Sequence, residues 1–354
     1  MLEIVVAFIL SLVIVVMAIP SVIKVSYLKH LFDVPSERKS HNEVIPTLGG
    51  LAIFAGVTIA SSIGMPENSV IKYNYLITAL MIIFFIGIKD DLLVTAPMKK
   101  LLGQVLAVSI LVVFGGVRIT SMYGFFGVNE LTPEVSSALT IFTLIVIMNG
   151  FNLIDGINWL CSGVSLIITS FLGLWFIYNQ FYGLGVISVS LIGSIMGFMW
   201  FNKTPAKIFM GDTGSLILGL IIGYLSIYFI QLNPIASEQA LNSVPILMFG
   251  ILIVPLFDTL RVFVRRVLKG KSPFSPDSNH IHHRLLELGW SHMKASLVIM
   301  TFNTLFILMI YFFRNIGSIP LLMLELVVAS IFSFIPTIII RKHYKKKKLK
   351  ISMD

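Results

Sequence analysis

The sequence predicts an all-α integral membrane protein of about eleven transmembrane helices, with the N-terminus outside and the C-terminus cytoplasmic, on three observations. Apolar residues make up 56 % of the chain and gather in long blocks rather than in globular alternation. Polar or Gly/Pro-containing breaks separate the blocks, and basic residues fall overwhelmingly into alternate breaks. Seven of the eight aspartates sit in those breaks or at block ends, the eighth being the C-terminal residue; at a mean hydropathy of +0.94, a carboxylate is costly unless paired or used.

In order, the blocks cover residues 2–22, 49–63, 75–88, 101–117, 135–154, 164–178, 183–201, 215–230, 244–262, 295–313 and 319–340. Several are shorter than the ~20 residues that cross a hydrocarbon core, so their helices are expected to extend into the flanks. With eleven spans, one side collects 23 of the 26 Lys and Arg, leaving Lys72, Arg118 and Arg314 for the other. The basic side is the cytoplasm, and all eight aspartates share it. The net charge of +9 is therefore topogenic, and no aromatic-interleaved basic patch argues for nucleic acid. Residues 1–24 carry neither a basic n-region nor a small-residue cleavage site, which predicts a retained anchor. Cys161 is the only cysteine, so an intrachain disulfide and a Cys-based zinc site are both excluded. Without internal repeat or soluble segment, residues 1–354 read as one polytopic domain. It has a long cytoplasmic loop at 264–294 and a basic tail at 341–354 suited to anionic membrane lipids.

The cytoplasmic breaks carry the chemistry. Asp90 and Asp91 end the third block, with Lys99 and Lys100 opening the fourth; adjacent aspartates repel unless a cation or proton intervenes, which suggests a metal or a shared base as against a solvated helix end. Asn149, Asn152 and Asp155 recur at intervals of three, and project from one face if the helix continues. Such a face offers oxygens to a hard cation or amides to a base edge. At 207–215, two glycines, Asp212 and hydroxyls open the eighth block. That is an anion-friendly helix start beside a metal-capable carboxylate, fit for a Mg²⁺-diphosphate, although Asp212 could also serve as an N-cap. The run His280, Ile281, His282, His283, Arg284 reads better as phosphate recognition than as zinc, since no second ligand cluster accompanies it. Asp258 is expected to pair locally with Arg261 or Arg265, and Glu325 to make a hydrogen bond inside the bundle. Together the loops suit phosphoryl transfer between a soluble nucleotide and a membrane-held acceptor.

These residues bring out a likeness. The chain resembles the polyprenyl-phosphate N-acetylhexosamine-1-phosphate transferases, the superfamily that includes the phospho-MurNAc-pentapeptide translocase. The likeness runs from residues 35–41 (Pro-Ser-Glu-Arg-Lys-Ser-His) and 46–50 (Pro-Thr-Leu-Gly-Gly), through Asp90-Asp91 and residues 152–156 (Asn-Leu-Ile-Asp-Gly), to 209–215 (Phe-Met-Gly-Asp-Thr-Gly-Ser) and 280–284. The His-Ile-His-His-Arg form is similar to the branch that starts teichoic acid, O-antigen lipopolysaccharide or other surface glycans with GlcNAc-1-phosphate. The resemblance implies transfer of N-acetylhexosamine-1-phosphate from a UDP-N-acetylhexosamine to undecaprenyl phosphate, releasing UMP. It further implies Mg²⁺ (Mn²⁺ being the alternative), a homodimer, and a bacterial plasma membrane location with a cytoplasmic active site. By the same resemblance Asp212 and Asn152 hold the metal, Asp155 and Phe209 border the nucleotide, Asp90 and Asp91 handle the lipid phosphate, and Lys100 holds phosphate. Asn149, Asn158, His280, His282, His283 and Arg284 complete the substrate-binding set. One departure stands out: the family usually reads Asp-Gly-x-Asp-Gly-Leu where this chain has Asp155-Gly156-Ile157-Asn158-Trp159-Leu160. An amide can recognise substrate but is neither charged ligand nor base, so this position is expected to serve recognition. A secondary transporter or lipid flippase is the competing class and a polyprenyl-diphosphate phosphatase a third; the odd span count, the lack of repeats and the one-sided carboxylates argue against transport.

Overall fold

The computed structural model describes residues 2–31, 45–93, 95–234, 243–270 and 279–351. The 35–41 motif, residues 271–278 of the long loop and the end of the basic tail lie outside the described residues. Thirteen helices are described: α1 (Leu2–Leu28), α2 (Gly49–Gly64), α3 (Val70–Leu92), α4 (Pro97–Ser109), α5 (Pro133–Ile154), α6 (Leu160–Tyr178), α7 (Tyr182–Asn202), α8 (Gly211–Leu232), α9 (Val244–Ile251), α10 (Ile253–Leu268), α11 (Ile281–Glu287), α12 (His292–Phe313) and α13 (Ser318–Ile351). Each predicted block is helical. Among the described residues, eight helices are long and apolar enough to cross a membrane: α1, α5 to α8, α12, α13 to Ile340, and α4 with the π-helical turn Ile110–Phe114 that extends it.

The bundle is organised around α8. Every residue of that helix from Thr213 to Ile230 is buried, as expected for a helix that is apolar all round. α2, α3, α5 and α6 pack around it. The chemistry-bearing residues lie at the C-terminal ends of α3, α5 and α7 and at the start of α4 and α8, so one end of the bundle gathers them.

Two elements differ from the sequence expectation. The ninth block is not one straight span: α9 and α10 meet at Leu252 with a bend of 83°. Pro255 explains the break, since it has no N–H to give the carbonyl of Ile251 four residues back; Asn303 Nδ2, on α12, faces that carbonyl instead at 3.4 Å. Residues 121–130, read as loop, form an antiparallel hairpin of β1 (Ser121–Phe125) and β2 (Val128–Glu130), with Phe125 opposite Val128. Phe126 and Gly127 both have positive φ (53° and 77°), as a tight two-residue hairpin turn requires. Tyr123 Oη donates to the Ile230 carbonyl at 2.5 Å, which ties the hairpin to the far end of α8.

Glu325 also departs from expectation. It is fully buried on α13, yet neither carboxyl oxygen has a hydrogen-bond partner among the described residues. Where it approaches α9 it faces Gly250 and the Ile310 side chain, neither of which carries a side-chain donor. A buried carboxyl without partners costs about 1–3 kcal/mol. Glu325→Met is therefore expected to raise the thermal unfolding midpoint of the purified protein, and an unchanged or lower midpoint would count against this account.

Candidate active site

Two segments far apart in sequence are zipped together by their backbones. The Phe209 N–H donates to the Pro46 carbonyl at 2.7 Å, the Gly49 N–H to the Phe209 carbonyl at 2.9 Å, and the Gly50 N–H to the Met210 carbonyl at 2.9 Å. The chain then turns into α8 through Gly211 at φ +73°, where a Cβ would collide with the Thr47 carbonyl and the Asp91 carboxylate. Only glycine meets both demands.

Asp91 caps the start of α8. Its Oδ1 accepts from the Asp212 N–H at 2.6 Å, and its Oδ2 from the Thr213 N–H at 3.0 Å and the Thr213 hydroxyl at 2.5 Å. A carboxylate there satisfies orphan N–H groups and meets the positive end of the helix dipole. Asp90 points elsewhere, accepting from the Thr95 N–H at 2.8 Å and from Lys100 Nζ at 3.0 Å. The adjacent aspartates therefore contact different partners rather than sharing one, because successive residues on a helix face different directions.

Lys100 bridges Asp90 to Asp212, donating to both carboxylates. The other Asp212 oxygen accepts from Asn152 Nδ2 at 2.9 Å, and the same amide nitrogen reaches Ser215 Oγ at 3.0 Å. Asp91, Asn152 and Asp212 thus converge, with α5 and α8 joined side chain to side chain. Asp155 follows the last turn of α5, where burial and the nearby Asp212 and Asp91 carboxylates push its pKa up to about 8. Helix α5 stops at Ile154, so Asp155 does not continue the face of Asn149 and Asn152 as expected. Asn149 is also spoken for: its amide donates to Gln104 Oε1 on α4 at 2.9 Å and to the Ile145 carbonyl at 2.8 Å.

The donor set fits a hard divalent cation. Among the described residues, no three His, Cys, Asp or Glu side chains form a ready-made cage. Mg²⁺ needs none, because it is usually held by one or two carboxylates plus substrate phosphates. The Lys100 ammonium lying between Asp90 and Asp212 shows that this spot attracts positive charge.

The Asn158-Trp159 departure has a structural explanation. Trp159 has φ +70°, a left-handed conformation that glycine adopts freely. The tryptophan is held there by its N–H donating to Asn202 Oδ1 and its indole N–H donating to the Met199 carbonyl, both at 2.9 Å. Asn158 is buried, its side-chain amide donating to Thr204 Oγ1 at 2.9 Å, while its backbone carbonyl accepts from the Ser296 hydroxyl at 2.7 Å. In this chain both residues tie the α5–α6 turn to neighbouring segments, so the amide expected to read substrate is engaged within the protein.

The histidine run forms the start of α11. His280 Nδ1 meets Asp258 Oδ2 at 2.8 Å, and Arg261 pairs with the other Asp258 oxygen at 2.8 Å, as the local ion-pair reading expects. Arg284 bonds Glu287 at 2.8 Å and also Asn279, and with His283 it is only partly buried. His282 is different: 1 % exposed, with no partner for either ring nitrogen among the described residues, its Nε2 sits against Gly156 where a Cβ would be. Burial and the nearby His283 push its pKa down to about 3, so the ring is held neutral where it packs against Gly156. The unfolded chain binds a proton near pH 6.5 that the folded one refuses, so stability is full above pH 6.5 and falls as pH drops toward 3. His282→Phe is expected to flatten this dependence by about 2 kcal/mol between pH 6.5 and pH 5, read from unfolding midpoints across that range. Equal slopes in the two proteins would refute the assignment.

Comparison with known proteins places this geometry. Residues 73–230, which include Asp90, Asp91, Lys100, Asn152 and Asp212, match the family described as Glycosyl transferase family 4. The chain is 36 % identical over 312 residues to a protein of Bacillus subtilis (strain 168) named probable undecaprenyl-phosphate N-acetylglucosaminyl 1-phosphate transferase, covering 86 % of this chain and 84 % of the relative. It is 34 % identical over 290 residues to the decaprenyl-phosphate N-acetylglucosaminephosphotransferase of Mycolicibacterium smegmatis (75 % and 71 % covered). It is also 28 % identical over 276 residues to the undecaprenyl-phosphate alpha-N-acetylglucosaminyl 1-phosphate transferase of Escherichia coli (strain K12), with 76 % and 72 % covered. With the shared region spanning nearly the whole of both chains in the Bacillus match and enclosing every residue of the carboxylate cluster, this chain belongs to the polyprenyl-phosphate N-acetylhexosamine-1-phosphate transferase family.

Proposed function

We propose that this protein transfers N-acetylglucosamine-1-phosphate from UDP-N-acetylglucosamine to undecaprenyl phosphate, forming an undecaprenyl-diphospho-sugar and UMP. The observation that carries the reading is the convergence of Asp90, Lys100, Asn152 and Asp212 at the capped start of α8, in a chain whose relatives bear names for this transfer. An oxygen of the lipid phosphate attacks the β-phosphorus in line. The new P–O bond replaces the anhydride bond to the α-phosphorus, and UMP leaves with the bridging oxygen. One phosphoanhydride replaces another, so the exchange needs no energy source.

Asp212 and Asn152 would hold Mg²⁺, or Mn²⁺ in its place, Asn152 after a half-turn that exchanges its amide nitrogen for oxygen. The ion supplies neutralisation of the diphosphate charge. Asp91 keeps the start of α8 rigid, and Asp90 steers Lys100 toward the place where phosphate charge gathers. A phosphate monoester has its second pKa near 6, so little base catalysis is needed at neutral pH and positioning dominates.

The same reading includes eleven spans with the carboxylate cluster on the cytoplasmic side, supported by the one-sided placement of Lys and Arg, and self-association as a homodimer. Purified protein given UDP-N-acetylglucosamine, undecaprenyl phosphate and Mg²⁺ is expected to release UMP. A transporter, flippase or phosphatase would release none.

A further inference from the structure

A buried polar knot joins α10 to α11, and the transfer as described leaves it without a task. Asp258, 4 % exposed, accepts at Oδ1 from Arg261 Nη2 at 2.8 Å and from the Ile281 N–H at 3.1 Å, while Oδ2 meets His280 Nδ1 at 2.8 Å. Arg261 Nη2 also donates to the Asn279 carbonyl at 2.5 Å. Two of the three groups facing the carboxylate are obligatory donors, so Asp258 acts as an acceptor and His280 carries its proton on Nδ1. In the neutral ring this sets the tautomer of His280, with Nε2 left as the acceptor.

The knot reaches the carboxylate cluster in two steps. The His280 ring lies parallel to that of His282, 5.7 Å between centroids and 10° between planes. His282 in turn rests on Gly156, one residue after Asp155 and four after Asn152. A shift of the α11 turn would therefore be felt at the end of α5, where Asn152 meets Asp212.

We propose that Asp258 is a positioning residue for the transfer: through the Nδ1–H of His280 it sets the orientation of the α11 turn, which seats His282 on Gly156 and so holds the Asn152–Asp155 end of α5 against α8. This role rests on the transfer reading given above. A knot that only stabilised the fold would need the carboxylate's shape and hydrogen bonds but would be indifferent to which His280 nitrogen carries the proton.

Asp258→Asn separates the two. The amide keeps the volume but presents a donor where one oxygen stood, and turned toward His280 it forces the proton onto Nε2. Expected are about a 10-fold fall in kcat for UMP release, the low end of the loss seen when the direct partner of a metal ligand is removed because Asp258 acts from further away, little change in KM for undecaprenyl phosphate, and a retained cooperative unfolding transition. Nitrogen-15 spectra of histidine-labelled wild-type protein should show the Nδ1–H form of His280, assigned by its loss in His280→Gln, and the Nε2–H form in Asp258→Asn. Wild-type turnover in Asp258→Asn would overturn the proposal while leaving the transferase reading standing, and so would a wild-type His280 protonated only on Nε2, a measurement that holds even if the variant fails to fold. Wild-type protein that releases no UMP would instead sink the transferase reading itself, and this role with it.

Discussion

Asp212→Asn is expected to abolish UMP release, by about 10³-fold or more, in a protein that still folds. The size follows from what the side chain does: it carries the negative charge at the start of α8 on which Lys100 and Asn152 both converge, and where Mg²⁺ would bind. Asparagine keeps the volume but removes that charge, leaving Lys100 paired with Asp90 alone at 3.0 Å. The fold should survive because Asp91 grips the backbone N–H of residue 212, which the substitution does not alter. The matching loss of the cap, Asp91→Ala, strips partners from two N–H groups and a hydroxyl and would confound stability with chemistry, which is why Asp212 is the cleaner test. The measurement is UMP release against Mg²⁺ concentration together with a thermal melt. Substantial Mg²⁺-dependent turnover in a folded variant would remove Asp212 from the reaction.

How much of the molecule is legible in its sequence depends on how each feature is encoded. Membrane helices are written as runs of apolar residues, so every predicted block proved helical, and the aspartates at their ends marked the site because a carboxylate in such a chain needs a reason. Relations between segments are not written that way. Nothing in residues 46–50 says that they pair with 209–210, since the bonds run through backbone groups common to all residues. The different duties of Asp90 and Asp91 depend on helix rotation, and the engagement of Asn149 by Gln104 on which neighbour lies opposite. The break between α9 and α10 was legible in part: Pro255 lies within an apolar run and removes the hydrogen bond to Ile251, but without Asn303 in view the run passes for an unbroken span. The hairpin had its signal too, in the Phe126-Gly127 pair set between the strand-favouring Tyr123, Phe125 and Val128.

Gly50→Ala should be as damaging as losing a residue that touches substrate, although glycine has no side chain to contribute. Helices α2 and α8 approach so closely that a Cβ on Gly50 would collide with the Gly214 nitrogen and lie 2.6 Å from its Cα. Those are backbone atoms, so no rotamer change relieves the clash. The helices cannot simply part either, because Gly49 and Gly50 are bonded to the Phe209 and Met210 carbonyls, three and two residues before Asp212. Overpacking usually costs about 1–3 kcal/mol, and a clash between two backbones belongs at or above the top of that range. Displacing α8 by even a fraction of an ångström would also move Asp212 away from Asn152, so activity should fall further than the population of folded protein does. Gly64→Ala provides the contrast within the same helix. There a Cβ would meet the Val186 and Ala7 side chains at 3.1 and 3.2 Å and the Glu3 carbonyl at 3.3 Å, at the end of α2 away from Asp212. Those contacts are tight by tenths of an ångström rather than overlaps with backbone atoms at the site, so Gly64→Ala should lose far less in melting than Gly50→Ala and keep UMP release near wild type. Similar losses from the two substitutions would show that the approach of α2 to the start of α8 is not what holds the site together.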